Sequence, residues 1–244
     1  MKTFAFHLQK GGVGKTTLSG TMAYELSLKG KTILIDCDPQ GNSSDWFISD
    51  FQYELTDVLT GKMSVDDAIV NVTPNFDILP TRANKGLKLY GETKLNDEPF
   101  IFVDLFEELD KLGYDYVICD LSPGIGRLEK SVLTACDEVI TPMTPEHFSI
   151  KGVTNFAAEL HTLKKAMRRG ADHLAIIINA FDGRIGQHCE ITSLTVDLKH
   201  SFVTVPVDPV FRKSQRKMCA PQAFGGMKKE TTEAIEKIGG LLCR

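Results

Sequence analysis

The 244-residue chain has no Cys-x-x-Cys pair, one tryptophan, and no apolar run near the roughly 18 residues that a membrane-spanning helix needs. Its six cysteines (Cys37, Cys119, Cys136, Cys189, Cys219, Cys243) lie far apart, so their spacing supports neither a zinc site nor a redox dithiol. Reduced, mostly buried thiols are expected. His7, His147, His161, His173, His188 and His200 show no metal-binding spacing on one helix face and read as ordinary polar residues. Prolines and glycines are scattered, and no period of about 20 to 50 residues repeats, which excludes a solenoid and gives no sign of a linker. The segment Met1–Phe6 leads directly into a glycine-rich loop and leaves no room for a signal peptide, so the cytosol is the expected location.

What remains is an ordinary globular composition, 42% hydrophobic and 25% charged, long enough for one large domain over residues 1–244. The net charge of -4 argues against a globally basic nucleic-acid binder. The window Pro209–Lys229 departs from that balance. It holds Arg212, Lys213, Arg216, Lys217, Lys228 and Lys229 with no acidic residue, a local charge of +6. Attraction to a polyanion would have to be local and one-sided.

Short apolar runs alternate with longer amphipathic stretches, the pattern of a mostly parallel sheet with helices on both faces, an α/β fold. Strands are expected at Thr3–Leu8, Thr32–Asp36, Phe76–Leu79, Tyr116–Asp120, Glu138–Thr141, Leu174–Asn179 and Phe202–Val205. Helices are expected at Lys15–Leu28, Pro99–Lys111, Arg127–Ala135, Glu146–Met167, Ile185–Leu198 and Glu230–Leu242. Ser43–Thr73 is polar and short-helical, which places it on the surface. Ile33–Ile35, Val117–Cys119 and Ile176–Ile178 are apolar at consecutive positions, as on strands covered on both faces at a sheet centre. Ligands of such sheets sit beyond the strands' carboxyl ends, so the segments 9–17, 36–42 and 120–126 should converge on one crevice.

The first of these segments holds Lys10-Gly11-Gly12-Val13-Gly14-Lys15-Thr16-Thr17, between a strand and a helix. Glycines there let successive N–H groups turn toward phosphate oxygens, and the helix N-terminus adds its dipole. Lys15 would neutralise the terminal phosphates, and the Thr16 hydroxyl would ligate Mg2+. The usual phosphate-loop consensus fails at position 9, where glutamine stands for glycine, and a second lysine, Lys10, opens the loop. Lys10 is either a solvated surface lysine or a residue with a task beyond its own nucleotide.

The second strand ends in Asp36-Cys37-Asp38-Pro39-Gln40-Gly41-Asn42, with two carboxylates on one side of an extended chain. They can hold magnesium through water or orient an attacking water, or they can simply make and cap a turn. Tyr116–Asp120 is an apolar strand ending in an acid, suited to holding magnesium through a water.

The loop with its two lysines resembles the deviant Walker A motif of the ParA/MinD family of ATPases, a group that includes the nitrogenase iron protein. Asp36–Asn42 resembles switch I of its ParA/Soj partition branch, and Leu121-Ser122-Pro123-Gly124-Ile125-Gly126 its switch II, with Ser122 where proline is usual. Pro142 and Pro145–Gly152 also resemble the family, so the resemblance runs from Phe4 to about Gly226. It implies a single P-loop NTPase domain that binds ATP and Mg2+ and hydrolyses ATP slowly until a partner stimulates it. Asp38 would activate water, Asp36 would support loop and metal, and Lys10 would reach the ATP of a second copy. Adenine would meet Asn179, Pro206 and Asp208 or the nearby backbone, although each of these equally suits a turn.

Three functions are open at this level. A ParA-type DNA-partition switch would form an ATP-dependent homodimer, bind non-specific DNA through residues such as Arg212, Lys213, Arg216 and Lys217, associate with the nucleoid, and be reset by a ParB-like partner. A MinD-like membrane switch needs a terminal amphipathic helix. Ile235, Ile238, Leu241 and Leu242 have helical spacing, but Gly239-Gly240 and few basic residues favour a helix packed on the core. An iron-protein-like reductase needs cluster-holding cysteines, and Cys136 stands alone in its region. An orphan positioner of protein cargo remains a variant of the first. The chain opens at its first strand with no helix-turn-helix before it, so autorepression is not expected.

Overall fold

The computed structural model describes residues 1–95, 98–196 and 201–244. The first half runs β1 (Lys2–Phe6), α1 (Lys15–Ser27), β2 (Thr32–Cys37), α2 (Asn42–Phe47), α3 (Leu55–Leu59), α4 (Val65–Ala68), β3 (Val70–Thr73), β4 (Phe76–Leu79), α5 (Gly86–Thr93), α6 (Ile101–Lys111) and β5 (Tyr116–Leu121). The second runs α7 (Arg127–Ala135), β6 (Glu138–Met143), α8 (His147–Met167), β7 (Asp172–Phe181), α9 (Gly186–Val196), β8 (Ser201–Pro206), α10 (Val210–Arg216), α11 (Pro221–Phe224) and α12 (Lys229–Leu242). The expected helix end at Leu198, and His200, lie outside the described residues.

One sheet contains all eight of these strands in the order β3-β4-β2-β5-β1-β6-β7-β8. Every neighbouring pair is parallel except the β3–β4 hairpin at one edge. Alternation along each strand divides the core in two. Ala5, Ile33, Ile35, Val117, Cys119, Ile176 and Ile178 pack under α5 to α8. Phe4, Phe6, Leu34, Ile118 and Ile177 pack under α1, α2 and α12. The consecutive apolar runs are thus the residues of two faces read in turn.

That reading needs one correction. β2 and β5 are central, but β7, which carries Ile176–Ile178, is next to the β8 edge. Apolar runs report cover on both faces, and cover extends nearly to that edge. The placing of Ser43–Thr73 on the surface is also corrected. Trp46 and Phe47 are 4% and 6% exposed and stacked at 4.4 Å between ring centroids. Val70–Thr73 is the antiparallel edge strand, joined to β4 by the tight turn Pro74-Asn75. The shortness of these pieces hides their periodicity. Among the thiols, Cys37, Cys119 and Cys136 are buried, while Cys219 and Cys243 are partly exposed and Cys189 is exposed.

The terminal helix lies on the core as expected: α12 buries Ala234, Ile235, Ile238 and Leu242 beside α1. Among the described residues no helix is long and apolar enough to cross a membrane.

Gly20 is what lets α1 sit on the aromatic pair. A Cβ there would lie 2.5 Å from the Trp46 ring and 2.8 Å from Phe47. Gly20→Ala should therefore lower unfolding free energy by about 1–3 kcal/mol through overpacking, despite alanine's better helix propensity. Chemical denaturation of the two proteins measures the difference.

Candidate nucleotide-binding site

The registers of three adjacent strands bring Phe6, Asp120 and Asp36 level. Neighbouring strands are roughly 4.8 Å apart, so the two carboxylates are forced side by side. Two residues earlier, Ile118 and Leu34 point to the face under α1, and the period of two sends the acids there as well. Both acids are fully buried. Neither Asp120 carboxylate oxygen has a hydrogen-bond partner among the described residues. Burial, then the charge of Asp36, pushes the Asp120 carboxyl up to about 8, with the Thr16 hydroxyl offsetting part of this.

Asp36 is better satisfied. It accepts from the Ser44 N–H at 2.8 Å, the Ser44 hydroxyl at 2.7 Å and the Asp38 N–H at 3.2 Å. Burial still raises it to about 6, and the Ser44 bonds hold it below Asp120. Its carboxylate thus organises its own loop. Thr81 extends the network, its hydroxyl donating to the Asp36 carbonyl at 2.6 Å and its N–H to the Ser44 hydroxyl at 2.9 Å. Asp38 uses one oxygen to accept from the Gln40 N–H at 2.9 Å. It lines a groove of about 570 Å³ with Pro39, Ser122, Pro123, Leu87 and Leu128.

After β1 the chain turns through Gly12 and Gly14, at φ 73° and 94°, before α1 starts. No acidic side chain occupies the first turn of α1 and no side chain caps it, so its N–H groups and dipole face the loop. Glycine at 14 is also required by close approach, since a Cβ would overlap the Asn179 amide. That amide donates to the Val13 carbonyl at 2.9 Å and braces the loop from β7. Lys15 is nearly buried, its ammonium donating to the carbonyls of Lys10 at 2.9 Å and Leu8 at 3.4 Å. Burial lowers its pKa, opposed by the charges of Asp120 and Asp38.

The cleft beside this loop, about 420 Å³, is lined by Gly12, Gly14, Thr17, Asn179, Pro206, Asp208, Phe211 and Arg212. The residues expected around adenine are brought together there with the phosphate loop. Asp208, however, has both carboxylate oxygens engaged: it accepts from the Val210 N–H at 3.0 Å, the Lys228 N–H at 2.9 Å and the Thr231 hydroxyl at 2.8 Å. Its side chain ties α10 to α12, which leaves the backbone as its means of meeting a base.

Several contacting residues were not foreseen. Lys10 donates to Glu146 at 2.6 Å, Ser149 at 3.2 Å and Thr144 at 3.4 Å. The Ser122 hydroxyl, at the position where proline is usual, bonds Glu129, whose other oxygen accepts from the Gly126 N–H at 2.7 Å. Glu129 stands three residues after Gly126 at a helix start, a spacing that marks such a contact. Ser44 and Glu146 carry no comparable mark.

Of the basic window, Arg212, Lys213, Arg216 and Lys217 are all exposed and form no ion pair among the described residues. Lys228 instead donates to the Val207 carbonyl, and Lys229 pairs with Glu233.

A magnesium ion fits this site on the strength of Asp120, a buried carboxylate with two unused oxygens near the Thr16 hydroxyl. No group of three His, Cys, Asp or Glu side chains able to hold a metal occurs among the described residues. The raised carboxyls also make stability depend on pH. In the folded protein Asp36 and Asp120 keep protons up to about 6 and about 8, whereas unfolded they lose them near 4. Stability from these groups is complete below the unfolded value and is lost as pH rises through the folded ones. The melting temperature of nucleotide-free protein should fall from about pH 4 to 8, with Asp120 alone carrying the fall above about 6, and Asp120→Asn should flatten that upper slope in a calorimetric pH series.

The family model described as "AAA domain" matches residues 1–174. An uncharacterized protein of Borreliella burgdorferi is 41% identical over 191 residues, covering 77% of this chain and 78% of the relative. The chromosome-partitioning ATPase Soj of Treponema pallidum is 31% identical over 214 residues, covering 86% and 81%. A solved structure of a plasmid partition protein from Borrelia burgdorferi bound to AMPPNP superposes with a TM-score of 0.82, at 24% identity, over 99% and 98% of the two chains. The fold is shared with that protein. The chain belongs to the ParA/MinD family of ATPases, with the ParA/Soj partition proteins among its relatives.

Proposed function

We propose that the chain is an ATP-driven switch for partitioning plasmid or chromosomal DNA. The observation that carries this reading is α10. It holds exposed, unpaired cations, and its Gln215 donates to the Thr17 hydroxyl at 3.2 Å, one turn into the nucleotide-binding helix. A polyanion-binding helix bonded to the phosphate-binding helix is the connection that nucleotide-controlled DNA binding requires.

In this reading the loop N–H groups and Lys15 bind the ATP phosphates, and Asn179, Pro206 and the backbone at Asp208 hold the base. Thr16 and Asp120 hold Mg2+, with Asp36 keeping the Asp38 loop in place. Bound there, the cation neutralises charge on the transferring phosphoryl group. Asp38 orients the attacking water with its remaining carboxylate oxygen. Lys10 leaves Glu146 for the nucleotide of a second copy, giving an ATP-dependent homodimer. The dimer binds DNA without sequence preference until hydrolysis, stimulated by a ParB-like protein, releases it. The AMPPNP-bound partition protein and the partitioning ATPase Soj among its relatives support ATP as the nucleotide and partition as the task. The burial of the apolar stripe of α12 in the core speaks against its use as a membrane anchor.

The test is binding to non-specific duplex DNA with ATP and with ADP across a salt series. ATP-dependent binding that weakens with salt is expected, and each cation of α10 replaced by alanine should reduce the log–log salt slope by about 1. Absence of binding in both states, with the ATP dimer intact, would redirect the search to a protein cargo. Asp38→Ala should keep ATP binding and dimerisation while losing turnover, read as phosphate release. Lys10→Ala should keep nucleotide binding by the monomer and lose the ATP dimer in sedimentation. An ATP dimer persisting in that variant would remove the cross-subunit role.

A further inference from the structure

Glu129 is 5% exposed and forms no ion pair among the described residues. A carboxylate taken out of water without a cation is costly and has to be held by hydrogen bonds. Here the bonds all go to one loop. One oxygen accepts from the Ser122 hydroxyl and the other from the Gly126 N–H at 2.7 Å, while the Ser122 oxygen itself accepts from the Gly124 N–H at 3.3 Å. The place of Glu129 in the first turn of α7 adds the favourable end of the helix dipole. Both ends of the loop 122–126 are thus tied to one side chain, although Pro123, Gly124 and Gly126 are themselves exposed. The base of the tie is firm. Leu128, Val132 and Leu133 of α7 lie in the core, and the Ser131 hydroxyl donates to the Pro99 carbonyl at 2.8 Å.

The tied loop and Asp38 line the same groove of about 570 Å³. We propose that Glu129 is a positioning residue for ATP hydrolysis: through Ser122 and Gly126 it fixes the loop beside Asp38, so that a water on the free oxygen of Asp38 has one place to sit. The inference rests on the reading above, in which Asp38 orients that water. A single carboxylate oxygen fixes one contact of a water molecule and leaves its direction open. The groove wall has to supply the rest, and a wall made of an exposed loop with two glycines does so only if something holds it still. Misplacing a reacting group by about 1 Å can cost on the order of 100-fold in rate, so the tie has a large effect to protect. Both oxygens of Glu129 are engaged, which confines its action to the loop.

The experiment measures release of labelled phosphate by the full chain over an ATP and Mg2+ series, with binding of a fluorescent ATP analogue as the check on folding. Glu129→Ala should lower kcat at least about 10-fold while KM for ATP and analogue binding stay within about 2-fold. Glu129→Gln should recover most of the rate, since an amide can accept from the Gly126 N–H with its oxygen and donate to the Ser122 oxygen with its nitrogen. Ser122→Ala should lower kcat by a smaller factor, and adding it to Glu129→Ala should cost nothing more, because both break the same link. A kcat unchanged in Glu129→Ala, where Asp38→Ala loses turnover, overturns the positioning role and leaves the water-orienting role of Asp38 standing. So does a Glu129→Gln protein as slow as Glu129→Ala, or a loss of rate matched by an equal loss of analogue binding. Turnover retained in Asp38→Ala overturns the reading of Asp38 and the role of Glu129 together.

Discussion

The site is organised around two carboxylates that share a buried strand end. Parallel pairing of β2 with β5 in this register leaves Asp36 and Asp120 no choice but to be neighbours. Burial away from water raises both carboxyls, and the charge of Asp36 pushes Asp120 further up. The two acids then diverge in role. Asp36 has three hydrogen bonds and is spent on shaping the loop that carries Asp38. Asp120 is left by the fold without such a set of bonds, and its charged form is favoured by Lys15, by the Thr16 and Ser19 hydroxyls, and by any cation that comes to it. A group left so poorly solvated favours a ligand that brings positive charge.

Such a cluster can persist because the surrounding fold is stiff. Two continuous apolar layers hold β1, β2 and β5 between α1 and the helices of the opposite face. The phosphate loop is held at both ends as well. Asn179 braces it from β7, Gln9 is bonded to Glu159 of α8, and Lys10 to Glu146 just before that helix. A loop restrained in this way presents its N–H groups to phosphate without ordering them at the moment of binding.

The order of strands and helices around the sheet was legible because consecutive apolar residues mark strands with two covered faces, and the glycine and acidic loops follow from that placement. What was not legible is instructive. Ser43–Thr73 looks polar because its aromatic pair, Trp46-Phe47, is only two residues long, too short to set a period. Asp208 looked like a ligand for a base since it follows a strand at the crevice, yet partners twenty and more residues away consume its carboxylate. Lys10 was singled out by its loop, but Glu146 was not, because a carboxylate's partner across a long separation leaves no spacing in the chain. Local motifs announce themselves, and contacts made by tertiary closure do not.

In the proposed switch, two hydrogen-bonded routes join the nucleotide site to the basic helix. Gln215 of α10 bonds Thr17 in the first turn of α1, and the Trp46 indole N–H donates to the Cys219 carbonyl at 2.9 Å, joining the segment after α10 to α2. α2 in turn carries Ser44, whose N–H and hydroxyl hold Asp36. One route therefore starts at the phosphates and the other at the acidic loop that positions Asp38. A ligand shifts an equilibrium only by the difference in its contacts with two states, and a loop that responds to the terminal phosphate supplies such a difference where a rigid phosphate cradle does not. In the proposed switch the α2 route is accordingly the one that would distinguish ATP from ADP at α10, while the α1 route would report only that a nucleotide is bound.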